Sequence, residues 1–192
     1  MKRPAVFFDR DGTINEQMGY INHLSRFHLL PGVAEAIRLL NQNNFLAIIV
    51  TNQSGVARGY FPIELIHELH SFMMESLRRD GANIDAIFFC PHYPGGKVPE
   101  YSLECDCRKP GTGLIDQARK AFDIDMSRSY LVGDHTTDIE LAHRCNLNGI
   151  IVKTGYGLGE VLYILPQMAI KPCYIADDLL DAVKWIMERE RE

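Results

Sequence analysis

The chain has 192 residues, a net charge of −5, and 46% hydrophobic against 23% charged residues. This composition is ordinary for a soluble globular protein that buries one core without disulfide bonds. The negative charge gives no electrostatic reason to expect nucleic-acid or membrane binding. The sequence shows neither a signal-peptide core nor an apolar run of about 18 residues, so we expect a cytoplasmic protein.

Short apolar runs alternate with segments of helical period along the chain. Strands are predicted at residues 5–8, 46–50, 84–89, 129–132 and 149–152, with an edge strand at 174–175. A helix of about ten residues is predicted directly after Pro31-Gly32, and further helices at residues 63–79, 113–122 and 137–145. A closing helix is expected with Asp177 as its N-cap. Such alternation predicts an α/β fold: one domain over residues 1–192, with a doubly wound parallel sheet in three layers.

Polar residues follow the predicted strands. Asp9 and Asp11 come after the first strand, Thr51 to Gly55 after the second, and Asp134 after the fourth. Ligands bind beyond the carboxyl ends of the strands in an open parallel sheet, so these side chains are expected at one edge. A long irregular stretch over residues 90–112 ends with Arg108 and Lys109 and exceeds the usual loop length, which indicates a function of its own.

This set of groups fits phosphoryl transfer. Asp9 and Asp134 offer the hard oxygen ligands that Mg²⁺ prefers, and Asp9 can attack phosphorus to form an acyl phosphate. Asp11 can act as the acid and base, which requires an upward shift of its pKa from burial or neighbouring carboxylates. Thr51 and the backbone N–H groups of residues 52–55 can bind phosphate oxygens, while Lys109 supplies positive charge.

Each motif also has a structural interpretation. Asp-x-Asp-Gly strings are common in turns and calcium loops, and Asp134 or Asp138 could be a helix N-cap. Lys109 alone would be read as a surface lysine. The joint order of these groups along the chain favours the phosphoryl-transfer interpretation.

Three of the five cysteines lie within 18 residues, together with one histidine. Cys90-x-His92 and Cys105-x-Cys107 offer three thiolates and one imidazole, a closed tetrahedral set for structural Zn²⁺. The loop at residues 90–108 would then be a zinc-stapled segment that carries Arg108. The alternative is a group of separate free thiols. Cys145 and Cys173 are expected to be buried thiols, and the other histidines surface or satisfied core residues.

With these residues in place, the chain resembles the haloacid-dehalogenase superfamily of phosphatases over essentially its full length. Within the superfamily it is similar to the branch of heptose-bisphosphate and histidinol-phosphate phosphatases. The strings that carry the resemblance are Asp9-x-Asp11-Gly12-Thr13, Thr51-Asn52-Gln53-Ser54-Gly55, Cys90-Pro91-His92, Cys105-Asp106-Cys107-Arg108-Lys109-Pro110 and Gly133-Asp134-x-x-x-Asp138.

The resemblance implies Asp9 as nucleophile, Asp11 as acid/base, and Mg²⁺ between Asp9, the Asp11 backbone and Asp134. It also implies a fold without a large cap domain and a small phosphorylated metabolite as substrate. The substrate-contacting residues that it implies are Gln17, Met18, Gly19, Tyr20, Thr51, Asn52, Gln53, Ser54, Arg108 and Lys109.

One position departs from the family pattern. The family usually carries a lysine directly after the aspartate of the fourth motif, where this chain has His135. His135 is therefore included among the substrate-binding residues, and its different charge and length leave the substrate open. Histidinol-phosphatase members are often fused to a second enzyme domain, which is not predicted here, so the heptose substrate is favoured.

Two functions outside this class compete with the phosphatase hypothesis. A receiver switch would also use an acidic pocket, a threonine and a lysine, but it needs no acid two residues beyond the phosphorylated aspartate. A zinc-stapled binding protein could retain the fold without turnover. The expected enzyme is a magnesium-dependent phosphatase that acts as a monomer.

Overall fold

The computed structural model describes residues 2–190 and contains a six-stranded sheet in the order β3-β2-β1-β4-β5-β6, with every neighbouring pair parallel. The strands are β1 (Ala5–Phe8), β2 (Leu46–Asn52), β3 (Ala86–Cys90), β4 (Tyr130–Gly133), β5 (Asn148–Val152) and β6 (Tyr174–Ala176). The α-helices are α1 (Val33–Gln42), α2 (Ile63–Arg79), α3 (Gly113–Ala121), α4 (Thr136–Arg144), α5 (Gly157–Gly159) and α6 (Leu179–Arg189).

Helices cover both faces of the sheet, because the central strands are apolar on both sides. In β1, Val6 and Phe8 pack in a core cluster with α1, α2 and α6, whereas Ala5 and Phe7 pack with α3 and α4. All four side chains are fully buried. The predicted three-layer, doubly wound α/β fold is therefore confirmed.

Most predicted elements are present with ends shifted by one or two residues. The prediction of Asp177 as the last N-cap is wrong: Asp178 is the N-cap of α6, and its side chain accepts from the Asp181 N–H at 2.9 Å. Asp177 N–H instead donates to the Asp181 carboxylate. Burial was also predicted wrongly for two thiols, since Cys145 is half-buried and Cys173 is exposed.

The strand order reverses between β1 and β4, and this position determines where the functional residues meet. β1 connects through α1 to β2 on one side, while the chain returns after α3 to place β4 on the other side. Asp9 and Asp134 follow directly from these two adjacent strands. Within residues 2–190, none of the helices is long and apolar enough to cross a membrane.

Candidate active site

Three carboxyl groups meet at the carboxyl ends of β1 and β4. Asp9, Asp134 and Asp138 each place an oxygen within 4.8 Å of the others. Asp138 lies in the first turn of α4, and Asp134 and Asp138 are both buried. This arrangement concentrates negative charge at the point where the strand order reverses.

Lys109 provides the positive charge in this cluster. Its ammonium group lies 2.9 Å from Asp9 Oδ1 and 2.6 Å from Asp138 Oδ1. Burial disfavours the charged lysine, but the carboxylates of Asp138 and Asp9 outweigh burial and raise the pKa of Lys109. Lys109 is therefore a charged, buried residue of the site and not a surface lysine.

The remaining negative charge is not balanced by the protein. Burial, followed by the charge of Asp9, raises the pKa of Asp134 to about 8. Burial also raises the pKa of Asp138 to about 6, with Asp9 adding to the shift and Lys109 opposing it. The raised pKa values mean that the protein alone does not balance three ionised carboxylates with one ammonium. Full ionisation would leave an excess of two negative charges, which is the charge that one divalent cation would neutralise.

Two glycines, Gly12 and Gly155, lie so close to the Asp134 carboxylate that a larger residue would overlap it. A Cβ atom on Gly12 would lie 2.0 Å from Asp134 Oδ2, and one on Gly155 would lie 2.1 Å from the same atom. Both glycines have positive φ, at 85° and 57°. Asp134 Oδ2 also accepts the Tyr156 N–H at 2.8 Å. The carboxylate is thus held in a fixed direction, and the hard oxygen donors fit Mg²⁺.

Asp11 is held by a separate network beside Asp9. The Arg10 guanidinium lies 2.8 Å from Asp11 Oδ2, and the side-chain amides of Asn15 and Gln53 donate to the carboxylate at 2.9 and 2.8 Å. Burial favours protonation, but the charge of Arg10 and these hydrogen bonds prevail and lower the pKa of Asp11. The upward shift that an acid role requires is therefore not present in the protein alone, because Arg10 folds back onto Asp11.

The Arg10 side chain is only 1% exposed and connects Asp11 to helix α2. Its Nη1 lies 3.3 Å from His70 Nε2, and its Nη2 donates to Gln53 Oε1 at 3.1 Å. Burial and the Arg10 charge lower the pKa of His70 to about 3. His70 is therefore neutral and accepts from Arg10, which confirms the interpretation of a satisfied core histidine.

Two adjoining cavities of about 220 and 230 Å³ open at this cluster and share Asp9, Gln17, Asn52 and Tyr156. Of the predicted substrate-contacting residues, those that line the cavities are Gln17, Gly19, Tyr20, Thr51, Asn52, Arg108, Lys109 and His135. Met18, Gln53 and Ser54 are not among the lining residues. Gln53 is instead buried between Asp11 and Thr51.

His135 serves as the N-cap of helix α4. Its Nδ1 accepts from the Thr137 N–H at 3.3 Å, and the Asp138 carboxylate accepts from the His135 N–H at 3.3 Å, which completes a capping box. Its Nε2 lies 3.5 Å from Glu160 Oε1. The N-cap of α4 is therefore neither Asp134 nor Asp138. Asp138 is the third residue of the helix, and its side chain completes the capping box.

The four predicted zinc ligands lie together. Cys105 Sγ is 3.5 Å from Cys90 Sγ and 3.2 Å from Cys107 Sγ, and His92 Nδ1 is 3.3 Å from Cys107 Sγ. All four donor atoms lie within 4.8 Å of one another, which is compatible with tetrahedral coordination. The last ligand directly precedes Arg108, and Lys109 is tied to β2 because its N–H donates to Asn52 Oδ1 at 3.0 Å.

Several residues of the site were not among the predicted contacts. Asp138 was recognised in a motif but not assigned to the site, and Arg10 was visible only as a charged residue between two acids. Tyr156 lines both cavities, and Gly155 accommodates Asp134, yet the segment after Lys153 carried no recognisable sequence pattern. Their positions depend on loop packing that a local pattern does not encode.

Comparison with known proteins agrees with this geometry. A family model described as HAD-hydrolase-like matches residues 106–182. The chain is 46% identical over 190 residues to the D-glycero-D-manno-heptose-1,7-bisphosphate 7-phosphatase of Thermosynechococcus vestitus, covering 97% of this chain and 96% of that protein. It is 44% identical over 153 residues to the D-glycero-beta-D-manno-heptose-1,7-bisphosphate 7-phosphatase of Yersinia pestis, covering 79% and 81% of the two chains.

A solved structure shows the same fold. The crystal structure of D,D-heptose 1,7-bisphosphate phosphatase from B. bronchiseptica, complexed with magnesium and phosphate, matches with a TM-score of 0.84 and 28% identity. The match covers 97% of this chain and 99% of that chain.

Proposed function

Because the chain belongs to the D-glycero-D-manno-heptose-1,7-bisphosphate 7-phosphatase family of haloacid-dehalogenase-like phosphatases, we propose that it removes the 7-phosphate of D-glycero-D-manno-heptose 1,7-bisphosphate. The reaction uses Mg²⁺ and passes through an aspartyl phosphate on Asp9. The observation that carries this proposal is the group of three carboxylates with a single buried ammonium, at the strand ends beside two small cavities.

The proposed magnesium ligands are the carboxylates of Asp9 and Asp134 with the backbone of Asp11. When bound, the ion neutralises charge on the phosphate and allows an anionic nucleophile to approach. Asp138 instead holds Lys109, which in turn lies 2.9 Å from Asp9 Oδ1. Asp138 therefore positions the lysine, and the lysine offsets the charge of the phosphoryl group.

Asp9 is oriented for attack by two contacts on the same oxygen. Its Oδ1 accepts the Arg10 N–H at 2.7 Å and pairs with Lys109, so Oδ2 is the oxygen that forms the bond to phosphorus. The bond between phosphorus and the sugar oxygen breaks, and the leaving alkoxide takes a proton from Asp11. Water then attacks the aspartyl phosphate, gives its proton to Asp11, and releases inorganic phosphate and free Asp9.

Asp11 must carry a proton when the alkoxide leaves. The lowered pKa in the protein alone keeps this carboxyl group ionised at neutral pH. A substrate phosphate brings negative charge next to the carboxylate, and like charge at short range raises the pKa of an acid. The contacts with Arg10, Asn15 and Gln53 fix the position of the Asp11 carboxyl group before the substrate binds.

We propose that Cys90, His92, Cys105 and Cys107 bind one structural Zn²⁺. Four protein ligands leave no open position, so this ion holds the loop and takes no part in the chemistry. The loop then presents Arg108 to the substrate cavity and Lys109 to Asp9.

The protein is further proposed to act in the cytoplasm as a monomer on a small phosphorylated metabolite. The thiols within residues 2–190 form no disulfide, and a cluster of three of them suits a reducing compartment.

The direct test measures phosphate release with Mg²⁺ over a panel that includes both anomers of heptose 1,7-bisphosphate and histidinol phosphate. Asp9→Asn should abolish turnover, and Asp11→Asn should lower kcat by about a hundredfold to ten-thousandfold. Asp125→Asn is the matched control, because it removes an acid at the N-cap of the short helix Met126–Arg128, which lines neither cavity. Intact turnover in Asp11→Asn would refute its acid/base role.

The same panel separates the alternatives. A receiver switch would retain a phosphoryl group on Asp9 without multiple turnover, which mass spectrometry of the intact protein detects. A binding protein would hydrolyse no phosphoester although zinc content and fold are normal. Preference for histidinol phosphate over both heptose anomers would keep the phosphatase and reject the proposed substrate.

A further inference from the structure

His70 is a buried polar residue of helix α2 that lies behind the acid of the candidate active site. Its ring packs edge-on against the Phe89 ring of β3, with the two centroids 5.4 Å apart. His70 lines neither of the two cavities at the site. Its Nε2 atom lies 3.3 Å from Arg10 Nη1, so this residue reaches the site through the Arg10 side chain.

The hydrogen bond between these two residues has one possible direction. A guanidinium group has donors and no acceptor, so Arg10 Nη1 donates and His70 Nε2 accepts. Burial, followed by the charge of Arg10, lowers the pKa of His70 to about 3, so the ring is neutral and can accept. The proton of the neutral ring then lies on Nδ1.

His70 supplies what Arg10 needs at that end of the guanidinium group. The Arg10 side chain is buried, and among residues 2–190 His70 is the one hydrogen-bond acceptor of its Nη1 atom. A buried donor without an acceptor costs free energy, so the guanidinium group is stable in this orientation while the acceptor is present. The acceptor on α2 therefore determines the direction of the group.

The other end of the guanidinium group holds Asp11. Arg10 Nη2 donates to Asp11 Oδ1 at 2.9 Å and to Oδ2 at 2.8 Å. Nη2 also donates to Gln53 Oε1 at 3.1 Å, and Gln53 Nε2 donates to Asp11 Oδ2 at 2.8 Å, which closes a ring of three side chains. Because the guanidinium group is planar and rigid, fixing Nη1 also fixes the direction of Nη2.

The orientation of the Asp11 carboxyl group matters for the proposed reaction. Asp11 lines the cavity of about 230 Å³ together with Asp9, and in the mechanism above it gives a proton to the leaving alkoxide. Proton transfer requires the acid to lie within hydrogen-bond distance of the leaving oxygen. A displacement of about 1 Å can lower the rate about a hundredfold.

Resting on the proposed function, we propose that His70 is a positioning residue for the acid/base. As an acceptor, His70 orients Arg10, and Arg10 in turn orients the Asp11 carboxyl group toward the leaving oxygen. The property that this role requires is a hydrogen-bond acceptor at the position of Nε2. A glutamine at position 70 provides such an acceptor, whereas a leucine of similar size does not.

The test compares two substrates that differ in their need for an acid. The alkoxide released from heptose 1,7-bisphosphate requires a proton, whereas the nitrophenolate released from p-nitrophenyl phosphate is stable as an anion. His70→Leu should lower kcat/KM for the heptose ester about tenfold to a hundredfold, which is part of the contribution of a positioned general acid. For p-nitrophenyl phosphate the loss should be less than about threefold.

His70→Gln should stay within about threefold of the wild-type kcat/KM for both substrates, because it retains the acceptor. The parameter kcat/KM is chosen because it covers the steps up to formation of the aspartyl phosphate. The later attack of water, in which Asp11 acts as a base for both substrates, therefore does not enter the comparison.

Met73→Ala is the matched control, because it removes a fully buried apolar side chain in the next turn of α2. This variant should unfold at a lower temperature, since it leaves a cavity in the core, but the ratio of the two kcat/KM values should not change. The ratio does not depend on the concentration of folded enzyme, so it remains informative for a destabilised variant. Thermal unfolding is measured for every variant.

Three results would overturn the positioning role. His70→Leu could lower kcat/KM for both substrates by the same factor, which would indicate a purely structural role. It could leave kcat/KM for the heptose ester unchanged. His70→Gln could be as impaired as His70→Leu on the heptose ester, in which case the acceptor is not the property that matters.

Failure of the proposed function gives a different result. A wild-type protein that hydrolyses another alkyl phosphomonoester but not the heptose ester would reject the proposed substrate. The comparison is then made with that ester, whose leaving group is also an alkoxide, and the His70 proposal is judged by the same ratio. A wild-type protein that hydrolyses no phosphoester would reject both proposals.

Discussion

Asp134 lies against two backbone segments where only glycine fits. The Gly12 and Gly155 Cα positions approach its carboxylate so closely that either Cβ atom would overlap Oδ2. Gly12 therefore has a tertiary role besides the turn, because this residue after β1 leaves the space that the Asp134 carboxylate after β4 occupies.

Gly12→Ala should displace Asp134 and weaken the apparent Mg²⁺ affinity at least about tenfold, the usual range for disturbing the shell around a metal ligand. The Mg²⁺ dependence of phosphate release measures this effect. Gly95→Ala is the matched control, because Gly95 has a similar φ of 80° but no atom within 4 Å of its Cβ position. Both variants carry the strain of an alanine at positive φ, about 1–2 kcal/mol. Equal Mg²⁺ affinities in the two variants would contradict the steric explanation.

His70 gives a pH dependence with a defined sign. Its pKa is about 3 in the folded protein and near 6.5 when exposed, so the unfolded chain takes up a proton that the folded protein excludes. The free energy of unfolding should therefore fall as pH decreases below about 6.5, by up to about 1.4 kcal/mol per pH unit. His70→Gln, which can still accept from Arg10, should reduce this slope.

Urea unfolding at several values between about pH 5 and 7 measures the slope. His143→Gln, at an exposed position of α4, should leave the slope as in the wild type. If both variants have the wild-type slope, His70 is not the group that responds.

At the scale of elements, the loop between β3 and α3 has no regular secondary structure to fix its conformation. Residues 91–112 contain neither helix nor strand, yet the loop delivers Arg108 and Lys109 to the site. Two contacts fix its end: the cluster of Cys and His side chains, and the reciprocal hydrogen bonds between the Asn52 side chain and the Lys109 backbone. A zinc ion bound by the Cys and His side chains would stabilise this loop, which has no backbone hydrogen bonds of a helix or strand.

Purified protein should contain about one zinc per chain, and Cys105→Ser should remove it. We expect this variant to unfold about 5 °C or more below the wild type and to lose activity, because the loop is no longer held. Elemental analysis, thermal unfolding and phosphate release check these three effects. Cys145→Ser removes a half-buried thiol outside the cluster and should retain zinc and activity. Protein without zinc and with freely titratable thiols would refute the site.

At the scale of the whole molecule, the active site is assembled within one chain. Helices of the same chain cover both faces of the sheet, and the cavities are lined by five segments, which lie at or after the ends of β1, β2, β3, β4 and β5. The segment after β5 carries several exposed large hydrophobic side chains, including Leu162 at 56% and Tyr163 at 70% exposure.

We expect a monomer in solution, since the site needs no residue from a second copy. Light scattering coupled to size-exclusion chromatography should give the mass of one chain for the wild type and for Leu162→Glu. A wild-type dimer that Leu162→Glu dissociates would contradict this and would identify the exposed segment as an interface.

The order of strands and helices followed from hydrophobic periodicity, because burial on both sheet faces leaves a strong local signal. The same reasoning correctly anticipated that Asp9, Thr51 and Asp134 would lie at one end of the sheet. Element ends were less certain, as the shift of the last N-cap from Asp177 to Asp178 illustrates. The N-cap is defined by one hydrogen bond from a backbone N–H of the first helical turn to a side-chain oxygen. The sequence does not show which of the adjacent residues Asp177 and Asp178 accepts that bond.

The charge states of the site depended on contacts between distant segments. An acid role of Asp11 requires a raised pKa, and burial acts in that direction. The charge of the folded-back Arg10 and the hydrogen bonds from Asn15 and Gln53 nevertheless lower the pKa in the protein alone. Asp138 became part of the site only because Lys109 reaches it from another loop, at 2.6 Å. A sequence pattern identifies which strand end carries a group, whereas the energy of a charge depends on its neighbours in space. The Asp9–Asp11 pair could therefore be recognised from the chain, while its electrostatic environment was determined by the packing of residues from four separate segments.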